Sequence, residues 1–175
     1  MTSMFLFTVL LITILFGFRV SQYMVISAGV EDALAASNLA SAIIDLEEYG
    51  KSHIICVADP EAAFWRYREA LVVNLGLDDY LNTTNQEFLA SKVDILQYIV
   101  YNVRGNHITI CTLDGKGKMQ SQTTGRKGNV FTPDGVLVET TTIYSKIGFW
   151  VNGLLEQEIY AEKEKSIDIM RCDSE

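Results

Sequence analysis

Proline is close to missing from this chain: there are two in 175 residues, and the first is Pro60. Nothing upstream of it forces a helix to break through a lost N–H and a ring clash. Histidine is equally scarce. His53 and His107 fall in neither H-E-x-x-H nor an H-x-E motif with C-x-x-C, and no serine sits in G-x-S-x-G, so the corresponding zinc and serine chemistries have no support. His53 lies near Cys56 and His107 near Cys111, the start of a Cys-His dyad. On a strand, however, positions 107 and 111 are about 13 Å apart, too far for proton transfer. Glu139, Glu156, Glu158, Glu162 and Glu164 accompany Lys163 and Lys165 in alternating strand positions and read as a solvated outer face. No enzymatic activity and no cofactor is expected.

Positive charge is also short, with 14 Lys and Arg against 22 Asp and Glu and a formal net charge of -8. A nucleic-acid surface needs a basic stripe, and these cations are scattered among more numerous carboxylates. The three cysteines, Cys56, Cys111 and Cys172, are too widely spaced for a zinc pattern. They allow one disulfide and one free thiol outside the cell, or three buried reduced thiols. Asp78 and Asp79 lack the D-x-D-x-D-G spacing of a calcium loop, so no metal site is expected. The glycines of DGKGKMQSQTTGRKGNVFTPDG form neither phosphate-cradling motif and point to an exposed flexible loop.

What the chain does have is residues 4–50, a stretch with no Pro that begins as hydrocarbon and ends amphipathic. MFLFTVLLITILFGF carries no charge, Arg19 follows, and apolar residues continue through Val20, Tyr23, Met24, Val25, Ile26 and Val30. The mostly apolar run of about 27 residues is longer than a removable signal core and fits a membrane span. As one helix, residues 4–50 would reach about 70 Å, more than twice a bilayer's hydrocarbon thickness. From Val30 to Tyr49, helical spacing gathers Glu31, Asn38, Ser41, Asp45 and Glu48 on one side and Ala33, Ala36, Leu39, Ala40, Ile43 and Ile44 on the other. The small residues suit close approach to another helix, whereas Leu39, Ile43, Ile44 and Leu46 are bulky enough to cover a sheet. Gly50 is expected to end the helix. Residues 1–50 thus form a helical unit and 51–175 a globular α+β domain, large enough for its own core.

Asp59-Pro60-Glu61 starts a second helix, with Asp59 as N-cap, Phe64, Tyr67, Leu71 and Leu75 inward, and Gly76 as the stop. VDILQYIVYNV alternates as a strand, placing Val93, Ile95, Ile99, Tyr101 and Val103 on one face. Arg104-Gly105-Asn106 turns it into HITICTL. VLVETTTIYSKIGFWV runs to Asn152-Gly153, a two-residue hairpin signal. In LLEQEIYAEKEKSIDIM the Glu and Lys residues allow a helix, but the shared parity of Leu155, Ile159, Ile167 and Ile169 favours a returning strand. The predicted fold is α+β, a long N-terminal helix packed on an antiparallel sheet.

This layout, with the run SQYMVISAGVEDALAASNLASAII, resembles a type IV pilin or pseudopilin, most closely the TadE-like branch. The resemblance implies a subunit that polymerises with copies of itself through its N-terminal helix into an extracellular filament. The helix would lie in the inner membrane before assembly. A prepilin peptidase, an assembly ATPase and an inner-membrane platform are the implied partners. A membrane-anchored extracellular binding module and a minor pseudopilin share the same anatomy. Pilins usually carry Glu at the fifth position of the mature helix; Phe5 stands here. Register would then fall to Arg19, the only charged side chain before Glu31, with Glu31 or Asp32 of an adjacent copy about 18 Å along the helix as its partner. Insertion normally keeps positive charge on the cytoplasmic side, so a start without Lys or Arg is expected to follow removal of a basic leader. N-terminal sequencing of the native protein beside its gene start checks this expectation, and an initiator Met at position 1 overturns it.

Overall fold

The computed structural model describes residues 2–85, 89–153 and 157–169. Helix α1 (Thr2–Ala40) is followed by the short α2 (Leu46–Ser52) and by α3 (Pro60–Leu75). Five strands follow: β1 (Asp94–Arg104), β2 (His107–Leu113), β3 (Met119–Arg126), β4 (Thr142–Asn152) and β5 (Glu158–Asp168). They form one antiparallel sheet in the order β3-β2-β1-β4-β5. The upper part of α1 and all of α3 lie side by side on one face, α1 over β4 and β5 and α3 toward β2. The chain is therefore α+β with a long N-terminal helix on an antiparallel sheet, as expected.

The helix ends at Ala40, ten residues before Gly50. Backbone pairing explains the break: Ile44 bridges Val57, the Asp45 N–H donates to the Cys56 carbonyl at 2.8 Å, and the Ala58 N–H donates to the Ile43 carbonyl at 3.2 Å. Two consecutive β-branched residues favour that extended turn. Asp45 then caps α2, accepting from the Glu47 and Glu48 N–H groups at 3.1 and 3.0 Å. Gly50 sits inside α2, which ends instead on His53 at φ 56. The α3 signals act as read: Asp59 accepts from the Glu61 and Ala62 N–H groups, and Gly76 closes the helix at φ 62.

Two apolar layers lie on opposite faces of the sheet. Phe64, Tyr67 and Leu71 of α3 meet Val30 and Leu34 of α1 over Tyr98, Val100, Ile143 and Ile147. The opposite face holds Ile99, Tyr101, Ile108 and Tyr144, covered by Val130 and Val138 from the connection between β3 and β4. That connection crosses beneath β2 and β1, and it can do so closely because a Cβ on Gly125 would lie only 2.3 Å from Val130 Cγ2. β1 does not keep one parity. Its register against β4 shifts between Ile95 and Gln97, so Val93 and Ile95 join the helix face while Ile99, Tyr101 and Val103 turn to the other. A bulge of one residue has that effect.

Two further expectations are corrected. The Gly-rich segment contains β3, an edge strand with its side chains largely in solvent, and Asp114 shapes its entry by accepting from the Lys116 and Lys118 N–H groups at 2.9 Å. Asn152-Gly153 is not a two-residue turn: Asn152 pairs with Glu158, and the Gly153 N–H donates to the Gln157 carbonyl at 2.6 Å. Leu155 lies outside the described residues.

The core makes a sharp mutational contrast within α1. Leu34 is fully buried and Leu39 is 63% exposed. Leu34→Ala should cost about 3 kcal/mol and Leu39→Ala less than about 0.5, measured by denaturant unfolding of the detergent-solubilised chain.

Candidate functional site

The surface of α1 changes character along its length. From Met4 to Arg19 every side chain is exposed, including Phe5 at 70%. This helix is long and apolar enough to cross a membrane. Fifteen bare apolar residues reach about 22 Å, and the run up to Val25 reaches about 33 Å, close to one hydrocarbon thickness. At that height the globular domain begins: the Tyr23 hydroxyl donates to the Asn152 carbonyl at 3.2 Å. Tyr23 and Ile26 border an apolar cleft of about 260 Å³ with Phe149, Val151, Ile159 and Ala161.

Above Tyr23 the helix binds its domain through a mixed seam. Val30 and Leu34 are apolar and fully buried, but so are Ser37, Asn38 and Ser41. Asn74 Nδ2 donates to Ser37 Oγ at 3.1 Å, Asn38 Nδ2 to the Lys165 carbonyl at 2.9 Å, and the Tyr98 hydroxyl to Ser41 Oγ at 2.8 Å. Buried polar groups need such partners, and α3, β5 and β1 each supply one, although Asn38 Oδ1 itself has none among the described residues. Lower down, Glu31 bridges Lys163 at 3.1 Å and Lys165 at 2.7 Å, while Lys163 Nζ also donates to Ser27 Oγ at 3.1 Å. The hydrogen bond to Glu31 holds the Lys165 ammonium above its ordinary pKa.

This reverses the face assigned to the sheet. Leu39 and Leu46 are exposed, the latter at 77%, and Ile43 is 38% exposed. Ile44 is half-buried against the core through its bridge to Val57. None of the four is the main cover of the sheet; Val30, Leu34 and the Ser37-Asn38-Ser41 stripe are. The small-residue set also divides, because Ala33 is buried in its own domain whereas Ala36 and Ala40 face solvent. Of the two candidate acids, Glu31 is held within its own chain. Asp32 is exposed and makes no hydrogen bond or salt bridge among the described residues. Arg19 donates to Gln22 Oε1 at 3.1 Å and has no carboxylate partner among the described residues.

The buried polar stripe could have been found from Ser37, Asn38 and Ser41, which recur at helical spacing beside Val30 and Leu34. Elsewhere, Trp65 is half-exposed with the Arg68 guanidinium 5.8 Å from its ring centroid, an ordinary packed pair on the surface of α3. Asp78 accepts from the Tyr80 and Asn82 N–H groups at 2.8 Å, which makes it a turn former. Among the described residues no cluster of three His, Cys, Asp or Glu side chains is arranged to hold a metal. Cys56 and Cys111 are buried free thiols, so they are not paired with each other; Cys172 lies outside the described residues. Burial raises both thiol pKa values.

Comparison of the chain with protein-family models, curated proteins and solved structures finds no match in any of the three.

Two measurements follow from this geometry. In a Cys172→Ser background, Cys56 and Cys111 should resist iodoacetamide at pH 8 in the folded protein and react fully in denaturant, because a buried thiol held protonated is a poor nucleophile. Glu31→Gln leaves Lys163 and Lys165 side by side with side chains only 27% and 34% exposed. It should lower unfolding stability by about 1 kcal/mol, and added salt should shrink the difference.

Proposed function

We propose that this protein is a structural subunit that polymerises through α1 into an extracellular pilus-like filament. The observation that carries the reading is the face α1 turns away from its own domain. Val25, Ala28, Ala36 and Leu39 are exposed there, above the bare apolar half and in line with it. Lipid accounts for an exposed apolar surface only as far as about Val25. Beyond that height the same face carries Ala28, Ala36 and Leu39 around the exposed Asp32, a surface suited to protein, and its small members permit close helix approach.

In this reading the apolar half of α1 is dissolved in the membrane before assembly. Extraction replaces lipid by neighbouring helices, with the sheet domains outside. A contact between two different surfaces of the same chain, repeated without closure, produces a fibre. The resemblance supplies the partners: a prepilin peptidase, an assembly ATPase and an inner-membrane platform. The buried polar seam supports the same view, since it fixes the domain to one side of α1 and leaves the other side exposed.

Ala36→Trp in the native host tests the reading. The substitution sits on an exposed position and should leave folding and membrane insertion unchanged while abolishing filaments in electron micrographs of sheared surface material. If wild-type fibres contain none of this chain, or Ala36→Trp is silent, a simple membrane tether is the better account.

A further inference from the structure

Arg19 and Asp32 lie on opposite sides of the same helix. Arg19 shares its side with Tyr23, Ile26 and Val30 through spacings of four, seven and eleven, which is the side the domain occupies higher up. Asp32 shares the other side with Val25, Ala28, Ala36 and Leu39 through spacings of seven, four, four and seven, and all of these are exposed. One charge therefore faces the space beneath the overhanging domain, and its complement faces away from the domain.

We infer that Arg19 of one copy pairs with Asp32 of the next, docking the domain side of one apolar half onto the outer side of its neighbour's upper half. This placement rests on the filament reading and gives it a register. The two residues are thirteen apart, so neighbouring subunits are staggered by about 20 Å along the helix axis. Glu31, one residue away, is the wrong partner because Lys163 and Lys165 already neutralise it. Asp32 is the other carboxylate on α1.

The stagger that joins the charges also matches the surfaces around them. At the same offset of thirteen, Leu15 meets Ala28, Ile12 meets Val25 and Thr8 meets Ser21. The first of these sets a large side chain on a small one, the second joins two aliphatic side chains, and the third pairs two hydroxyl residues. Leu15, Ile12, Val25 and Ala28 are all exposed within a single chain, so each is available. The contact uses two different surfaces, so it extends instead of closing into a two-fold dimer. In-register packing through the outer face would set Asp32 against Asp32, a like-charge contact. The Arg19 guanidinium, costly to leave unpaired at membrane depth, gains a carboxylate only on assembly.

The test uses full-length protein in its native host. Arg19→Glu and Asp32→Lys should each reduce filament yield by about ten-fold or more, and the double variant should recover most of it, because the pair is restored with its charges exchanged. In a Cys172→Ser background, Arg19→Cys with Asp32→Cys in one chain should give a ladder of oxidised oligomers on non-reducing gels, whereas either introduced cysteine alone should give monomer. Wild-type cells without filaments of this chain would remove the filament reading itself. Wild-type filaments that tolerate Asp32→Lys, or dimers from a single cysteine, would overturn this register and leave the filament reading standing.

Discussion

The hydrogen-bonded seam between α1 and the sheet decides what the rest of the molecule presents. Ser37 Oγ and Ser41 Oγ accept from Asn74 and Tyr98, and Asn38 Nδ2 donates to the Lys165 carbonyl, so the helix cannot roll about its axis without breaking three hydrogen bonds of buried side chains. Val30 and Leu34 provide apolar contact on the same line. Apolar packing alone would tolerate rotation, since much of α1 is apolar or small. The polar partners choose one rotation, and that choice exposes Ala36 and Leu39.

Charge reinforces the same alignment. β5 turns Lys163 and Lys165 toward the helix, where a sheet usually offers aliphatic residues, and Glu31 meets both. The domain is thus matched to α1 by hydrogen bonds and charge as well as by shape. The apolar cleft by Tyr23 and Ile26 lies at the lower end of this contact, where helix and β4–β5 tip approach one another.

Much of the fold was legible in the sequence, where each signal was local. Asp59, Pro60 and Gly76 bounded α3, and β-branched runs located β1, β2 and β4. What escaped notice depended on distant contacts. Counting Ser and Asn as outward placed α1 the wrong way round, because periodicity shows that two faces differ and not which one finds partners. The bulge near Leu96 moved Ile99 and Tyr101 to the opposite face from Ile95, which no strict alternation anticipates. β3 gave no alternating signal because neither of its faces is well covered. Asn152-Gly153 carries strong turn chemistry, yet the ladder extends through Asn152 and the loop closes at Gln157. On α1, Arg19 and Asp32 were visible as charges, but Glu31 and Asp32 were indistinguishable until Lys163 and Lys165 came into place.

The contacts between α1 and the strand pair climb in one order: Tyr23 on Asn152, Ser27 on Lys163, Glu31 on Lys163 and Lys165, Asn38 on Lys165. α1 therefore runs along β5 in the same sense. A pull on the apolar half along the helix axis loads these contacts in shear, together, instead of peeling them away one after another. The domain is attached to its helix in the geometry that shares force most evenly.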